Sequence, residues 1–207
     1  MVEPKTKKAY VTKQKILEAA ETEFSEKGLF GARVDSIAFL SGVNKRMIYE
    51  HYGSKEELYK YVLREVYGRL AEYEKSYYED GLSPDVAISN VILGSFRFLE
   101  ANPSFVRILM WENLNKASHL MKNEIAEIKA PTIDYIKEQI RRGKETGLFR
   151  QDADEMQMVI SLMNFEFSYF SNIHTLSGIL NVDLSDPEEI SKRAKFVSDM
   201  IMEYLCK

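Results

Sequence analysis

Apolar residues recur at intervals of three and four positions along almost the whole chain. This spacing places them on one face of an α-helix, whereas a half-buried β-strand would show strict alternation. No stretch alternates in that way, and the sequence contains no internal repeat or low-complexity tract. The pattern therefore predicts an all-α protein of about nine helices.

Two short helices separated by a tight turn are predicted between Arg33 and Tyr52. Gly42 stands where the first of them must end, because glycine adopts the left-handed backbone conformation without steric penalty. Asn44 follows as the N-cap of the second helix, which is short, basic and aromatic. Two helices joined by a glycine-containing turn are typical of a DNA-binding helix-turn-helix. The alternative is a surface helical hairpin of a small bundle.

A further helix precedes this pair. It is predicted to begin with Thr12 as N-cap and to end at Gly28. Residues 1–11 are polar and basic and are predicted to form a solvated arm. The arm and the three helices together make up a predicted DNA-binding domain of residues 1–53.

The remainder, residues 54–207, is predicted to form a larger helical domain for ligand binding and dimerisation. Ser54 and Glu57 form a capping box, in which the serine caps the helix and the glutamate bonds back to it. That helix is expected to run to about Tyr78 and to end at Asp80-Gly81. Further helix starts are predicted at Ser83-Pro84, Asn102-Pro103, Asp152 with Glu155, and Asp186-Pro187, and a kink or break at Pro131.

The segment 153–177 has almost no polar face, unlike the other predicted helices. A helix that is apolar all round must be buried on both sides. We therefore expect it to pack, with the last helix 187–205, across the two-fold axis of a homodimer. A central position in the monomer is the alternative, and both can hold at once. The predicted interface residues are Met156, Val159, Ile160, Phe170, Val197, Ile201 and Leu205.

The composition is that of an ordinary globular protein, with 45% hydrophobic and 29% charged residues. No window approaches the roughly 18 apolar residues that a membrane span needs. The N-terminus has no apolar stretch of the kind found in secretory signals. The single cysteine, Cys206, allows no intrachain disulfide. These features predict a cytoplasmic protein without a membrane partner.

The charge is unevenly distributed around a net value of −4. Residues 1–55 carry ten Lys or Arg against seven Asp or Glu, whereas residues 56–207 carry 18 against 25. A mildly basic N-terminal quarter on an acidic remainder favours a protein that meets DNA with one end only.

The sequence lacks the patterns of an enzyme or a metalloprotein. His51, His119 and His174 are far apart and show no metal-ligand spacing. The ten glycines are scattered, so none of them builds a phosphate-binding loop. We therefore expect no catalytic residue, no metal and no cofactor. The alternative to a DNA-binding regulator is a helical ligand-binding or scaffold protein that has lost operator binding.

Residues 12–58 contain a series of spaced motifs: Ile16-Leu17-Glu18-Ala19-Ala20, Phe24, Gly28, Val34-Asp35-Ser36-Ile37-Ala38, Gly42-Val43-Asn44-Lys45, Ile48-Tyr49, His51-Tyr52 and Ser54-Lys55-Glu56-Glu57-Leu58. Together they resemble the N-terminal domain of the tetracycline-repressor (TetR/AcrR) family of bacterial transcription regulators. The resemblance covers about a quarter of the chain, and its combined spacing is far more specific than any single motif. The rest matches the family only in its layout of five or six further helices.

The resemblance implies a ligand-responsive repressor that binds a palindromic double-stranded operator as a homodimer and is released by a small effector. Lys45 and Arg46 are the predicted base contacts, because Arg or Lys paired with guanine is the commonest specific contact. Phosphate contacts are expected from the residues around them. The predicted DNA-binding residues are Arg33, Asn44, Lys45, Arg46, Met47, Tyr49, His51 and Lys55.

Three places depart from the family pattern. Ala32 and Arg33 stand where Thr or Ser often caps the second helix. Arg46 replaces a residue that is often small, and His51-Tyr52 replaces a frequent Tyr-Phe pair. The two arginines are therefore where the chain's own DNA preference is expected.

The effector is predicted to be largely apolar or aromatic, because pockets in helical bundles are lined by aromatic side chains and a few polar groups. Core packing is an equally good explanation for each candidate residue. The candidates are Phe96, Met110, Trp111, Tyr135, Met163, Asn164, Phe167, Phe170 and His174.

Overall fold

The computed structural model describes residues 4–79 and 81–206, with side chains from residue 9 onward. Residues 1–3 of the predicted arm and Asp80 of the predicted helix end lie outside the described residues. Within these ranges the fold is all-α, as predicted, with one isolated β-bridge and no strand. The ten helices found there are α1 (Pro4–Gly31), α2 (Val34–Ser41), α3 (Lys45–Tyr52), α4 (Lys55–Lys75), α5 (Pro84–Ala101), α6 (Pro103–Leu114), α7 (Lys122–Glu145), α8 (Glu155–Ser171), α9 (Ile173–Leu180) and α10 (Pro187–Leu205).

The first of two compact units contains residues 4–67 and Arg107–Ile125. In it α1 packs against α2, and α2 packs against α3. The buried rings of Phe24 and Tyr59 meet edge to face with centroids 5.0 Å apart. Tyr52 at the end of α3 is also buried, and its hydroxyl donates to a backbone carbonyl of α1 at 3.1 Å. These contacts fix α3 against α1.

The second compact unit contains residues 68–106 and 126–206. In its core α5 packs against both α8 and α10, and α7 contributes the buried Ile136 and Ile140. The last helix contributes one apolar stripe to this core. Its buried members are Ile190, Ala194, Val197, Ile201 and Leu205.

The two units do not follow the predicted domain division at residue 53. Residues 54–67 belong to the first unit, as do Arg107–Ile125. The predicted division also assigns DNA binding to one part of the chain and ligand binding to the other. The packing units do not test that assignment, so it stays a prediction.

α1 differs from the predicted first helix at both ends. It begins at Pro4, well before the predicted cap at Thr12, so part of the predicted arm is helical. Gly28 interrupts the helical geometry with φ 64° and ψ 175°. The predicted stop at Gly28 is therefore confirmed as a break, although one more turn follows to Gly31.

The predicted helix 153–177 is wrong in its extent. α8 and α9 are separate helices, divided at Asn172, where the backbone has φ −111° and ψ 8°. The N-cap of α8 is Asp154, whose carboxylate accepts two backbone N–H groups at 2.9 Å each. The predicted cap, Asp152, instead forms an ion pair with Arg150 at 2.6 Å. The predicted cap therefore lies two residues before the cap that the structure shows.

Three smaller expectations also change. Ser54 caps α4 by accepting the N–H of Glu57 at 3.0 Å, but the carboxylate of Glu57 pairs with Lys60 and does not complete the box. α4 ends at Lys75, earlier than predicted. α7 continues through Pro131, so the predicted break does not occur.

Candidate nucleic-acid interface

The turn between α2 and α3 has the geometry that the sequence predicts. Gly42 is left-handed, with φ 65° and ψ 20°, and ends α2. Asn44 is the N-cap of α3, and its side chain accepts the backbone N–H of Arg46 at 2.8 Å. Ile37 and Ile48 are buried on the two inner faces. The opposite face of α3 is therefore left for a partner.

A buried carboxylate in α1 holds the start of α2. Arg33 is the N-cap position, but its side chain makes no capping bond. Instead Glu23 Oε1 accepts the backbone N–H of Arg33 at 3.0 Å and is also bound by Lys27. Burial would raise the pKa of Glu23, but these hydrogen bonds outweigh it and hold the pKa below its ordinary value of 4.5. Sequence reasoning missed this residue, because its partner is ten positions along the chain.

The exposed face of α3 carries the residues predicted to contact bases. Arg46 is 85% exposed and its Nε lies 2.8 Å from Glu50 Oε1, one turn further on. Lys45 lies 2.8 Å from Asp35 of α2. Exposed ion pairs of this kind contribute little stability, so phosphates or base edges can compete for both cations. Met47 and Tyr49 are exposed beside them.

Four of the predicted contacts line one depression. These are Arg33, Lys45, Tyr49 and Lys55. Lys55 Nζ donates to the carbonyl of Ala32 at 3.1 Å, which leaves two of its three N–H donors for a phosphate. His51 lies apart from this group and is half-buried beside the ring of Tyr52.

Most of the predicted dimer-interface residues lie in the core of the second unit. Val159, Val197, Ile201 and Leu205 are almost fully buried in the core of the second unit, and the rings of Phe170 and Phe96 lie 5.7 Å apart. Each helix has one stripe that faces its own core, and these residues occupy it. Their contribution to a contact with a second copy stays a prediction. Met156 and Ile160, by contrast, are 48% and 43% exposed.

A second apolar stripe runs along the outer faces of α8 and α10, and we call it the outer stripe. Its residues follow helical spacing, and all of them are exposed or half-buried. The signal was present in the sequence as a large apolar residue at every third or fourth position. The members of the outer stripe are Met156, Ile160, Met163 and Phe167 of α8, and Phe196, Met200 and Tyr204 of α10.

The predicted effector residues do not come together around one cavity. Met110 and Trp111 belong to the first unit, whereas the other candidates belong to the second. Trp111 has a structural role, because its indole packs directly on Gly28 and its Nε1 donates to the carbonyl of Ser25 at 3.2 Å. Phe96 is a core residue.

The remaining candidates are also dispersed. Tyr135 stacks on Tyr78 with ring centroids 4.4 Å apart. Asn164 is exposed and its amide donates to the Ile160 carbonyl, and His174 is exposed on α9. Met163 alone among the candidates lines the enclosed cavity described next.

A cluster of buried polar side chains surrounds a cavity of about 20 Å³ inside the second unit, and we call it the polar cluster. Its members are Glu74, Ser95, Lys129, Thr132 and Glu166. Lys129 Nζ donates to both oxygens of Glu74 at 2.5 Å, and the Thr132 hydroxyl donates to the same carboxylate at 2.5 Å. Glu166 Oε1 is buried and has no hydrogen-bond partner.

Burial is the largest influence on the pKa of the Glu166 carboxyl group. Burial and the nearby charge of Glu74 raise its pKa well above 4.5, while Lys129 and a hydrogen bond from Ser95 lower it less. The sequence carried a signal that went unused, because Glu166 is the one charged residue between Met156 and Ile173.

Two classes of feature are missing from the described residues. In 4–79 and 81–206 no three His, Cys, Asp or Glu side chains are grouped so that they could hold a metal ion. The same part of the chain contains no helix long and apolar enough to cross a membrane.

Two family models match the chain. One, described as "Bacterial regulatory proteins, tetR family", matches residues 16–62 and so includes α2 and α3. The other, described as "Tetracyclin repressor-like, C-terminal domain", matches residues 84–201.

Proteins similar to this chain include one named repressor and two regulators whose structures have been solved. The HTH-type transcriptional repressor NicS of Pseudomonas putida is 32% identical over 195 residues, which cover 94% of this chain and 92% of NicS. The ketosteroid transcriptional regulator KstR2 of Mycobacterium tuberculosis has a similar fold, with a TM-score of 0.72 at 20% identity, over 94% of this chain and 95% of that one. FadR of Bacillus subtilis, solved in complex with stearoyl-CoA, has a TM-score of 0.69 at 17% identity, over 92% and 98% of the two chains.

Proposed function

The chain belongs to the tetracycline-repressor (TetR) family of bacterial transcription regulators, and on that premise we propose that it represses transcription as an operator-binding homodimer. It is a DNA-binding regulator and not an enzyme. Its similarity to a named repressor over nearly the whole chain supports the direction of regulation. The proposed place of action is the cytoplasm, where bacterial DNA lies.

The exposed face of α3 is the observation that carries the proposal. Ile48 and Tyr52 anchor one side of the helix in the core, so Lys45 and Arg46 are held on the outside. We infer that Arg46 contacts base edges and that Arg33 and Lys55 contact phosphates. Charged residues at a helix start beside a turn suit the major groove, which admits one α-helix.

Dimerisation is needed for specificity, because one α3 contacts only a few base pairs. We infer that two copies meet through the outer stripe of α8 and α10. Ile160 and Met163 are exposed on the same face as Met156, which supports this surface as the dimer contact. Isolated exposed apolar residues are common, whereas a continuous exposed apolar patch marks an interaction site. A two-fold dimer of helix-turn-helix proteins recognises two half-sites about one helical turn of DNA apart.

An effector would act by population shift. We infer that it binds in the second unit and favours a dimer whose two α3 helices do not match the operator spacing. Such a ligand changes operator affinity only by the ratio of its affinities for the two states. The cavity beside the polar cluster supports the second unit as its location.

Selection of bound duplexes from a random pool tests the proposal. The ligand-free protein should enrich a motif with two-fold symmetry, and its affinity should fall steeply with salt because each phosphate contact releases counterions. Failure to bind any duplex at low salt would contradict operator binding and would favour the scaffold alternative. Enrichment of a motif without two-fold symmetry would contradict the dimer.

A further inference from the structure

Glu166 is a buried carboxyl group whose hydrogen-bonding capacity is incompletely used. It is 8% exposed and lines the 20 Å³ cavity, and its buried Oε1 has no hydrogen-bond partner. Leaving a buried acceptor unsatisfied is unfavourable, because the group loses its hydrogen bonds to water and gains none in return. Such a group inside a protein calls for a functional explanation.

Ser95 hydrogen-bonds to the Glu166 carboxyl group, but Glu166 Oε1 is left without a partner by the other members of the polar cluster. Lys129 is bonded to both oxygens of Glu74, and the Thr132 hydroxyl is also bonded to Glu74. Tyr78 donates to Thr132 at 2.7 Å and completes that chain of bonds. Glu74 and Lys129 thus neutralise each other, and Glu166 remains as the second acid of a site with one base.

The size and charge of the site select among ligand groups. A cavity of about 20 Å³ has room for one group of the size of a water molecule. A carboxylate or phosphate would face two acids, with the one lysine already paired. An apolar group would leave Oε1 unsatisfied. A primary ammonium group fits, because it is small, cationic and a donor.

We propose that the effector carries a primary ammonium group on an apolar body, and that this group binds Glu166 Oε1. The proposal rests on the proposed function, since it names the ligand class of a ligand-responsive regulator. It also accounts for a second acid beside an ion pair that is already complete.

Met163 is the side chain that the apolar body of the effector would displace. It lines the cavity and is nevertheless 47% exposed, so its side chain separates the cavity from the outside of α8. Methionine is flexible and readily repacks around a ligand. Of the other apolar lining residues, Ile133 is half-buried, and the rest are buried core residues: Val91, Ile136, Val159 and Leu162.

The same side chain links the cavity to the proposed dimer contact. Met163 belongs to the outer stripe, next to Ile160 and Phe167. A ligand that displaces Met163 therefore alters the surface through which two copies would meet. This gives the effector different affinities for two dimer arrangements, which a regulator requires.

Thermal unfolding of the full chain with matched probes tests the proposal. The probes are 2-phenylethylamine and hexylamine, compared with 2-phenylethanol and phenylacetate at pH 7.5. At ten times its Kd, an amine should raise the Tm by about 4 °C. The alcohol and the carboxylate should give much smaller shifts at the same concentration.

Three variants make the test specific. Glu166→Gln should lose the amine shift, whereas Glu100→Gln, an exposed acid of α5, should keep it. Met163→Ala should strengthen amine binding several-fold, because no side chain then has to be displaced. If Glu166→Gln does not fold, the comparison of the amines with the alcohol and the carboxylate on the wild type decides the matter.

The proposal is overturned if neither amine shifts the wild-type Tm, if phenylacetate does so equally, or if Glu166→Gln retains the shift. Unchanged amine affinity in Met163→Ala overturns the route of entry and with it the link to the dimer contact. Duplex selection with ligand-free protein is independent of all these results. Intact operator binding without amine binding overturns this inference alone, and lost operator binding overturns the proposed function alone.

Discussion

Gly28 holds a backbone conformation that only glycine adopts without strain. Its φ of 64° and ψ of 175° lie in a region closed to residues with a Cβ. A Cβ there would also stand 2.7 Å from the indole of Trp111. The residue therefore does two things at once: it breaks α1 and lets Trp111 pack against the backbone.

Gly28→Ala should lower the free energy of unfolding by about 3 kcal/mol, since backbone strain and overpacking add. Gly68→Ala is the matched control, because Gly68 lies inside α4 and a Cβ there meets nothing within 4 Å. It should stabilise by about 0.5–1 kcal/mol. Urea unfolding measures both, and equal effects would refute the role assigned to Gly28.

Glu166→Gln should change how stability depends on pH. The folded pKa of Glu166 is raised, so its favourable contribution is complete below pH 4.5 and is lost as pH rises towards the folded pKa. Glutamine does not titrate. The variant should therefore gain stability over wild type as pH rises from 4.5 to 8, with Glu74, Lys129 and Ser95 unchanged around it. A difference that stays constant across this range would show that Glu166 titrates normally.

These residue-scale features were the hardest to predict from the sequence. Glu23 accepts the backbone N–H of Arg33 beyond the end of its own helix, and Glu166 shares a cavity with residues of other helices. Sequence spacing does not reveal such contacts. The base-contact candidates were easier, because Arg46 and Lys45 follow directly from a turn and a cap.

At the scale of elements, local signals succeeded where one residue type decides the backbone. Gly42, Asn44 and Asp186 stand at helix ends as predicted. Prediction failed where tertiary packing decides. Nothing local marks Asn172 as the division of α8 from α9, and the cap of α8 is Asp154 and not the predicted Asp152.

Helix α3 provides a prediction about specificity. Arg46→Ala should cost about 1–3 kcal/mol of binding on the selected duplex and less on duplexes changed at particular base pairs. Glu50→Gln should strengthen binding to every duplex, because it removes a negative charge and frees Arg46. Fluorescence anisotropy over a duplex series measures both. Equal losses on all duplexes in Arg46→Ala would assign this arginine to phosphate contact instead.

At the scale of the whole molecule, the sequence pattern points to two apolar helices for the proposed dimer contact but does not identify which face of each would form it. α8 and α10 each carry two apolar stripes, and periodicity alone does not say which one is core. The structure buries Val197 and Ile201 and leaves Phe196 and Ile160 outside. An all-α regulator could be predicted without knowing which helix faces are buried, because the caps, the helical spacing and the N-terminal motifs all indicate the same fold and family.

Operator binding by a variant with a charge on the outer stripe tests the central claim most directly. Wild type should bind the selected full operator about 100-fold or more tightly than a single half-site, because two linked contacts act together. Ile160→Glu should bind both with the same weak affinity, whereas Val86→Glu, an exposed apolar position of α5, should behave as wild type. If Ile160→Glu keeps the full preference for the intact operator, the account of a dimer joined through α8 and α10 is contradicted.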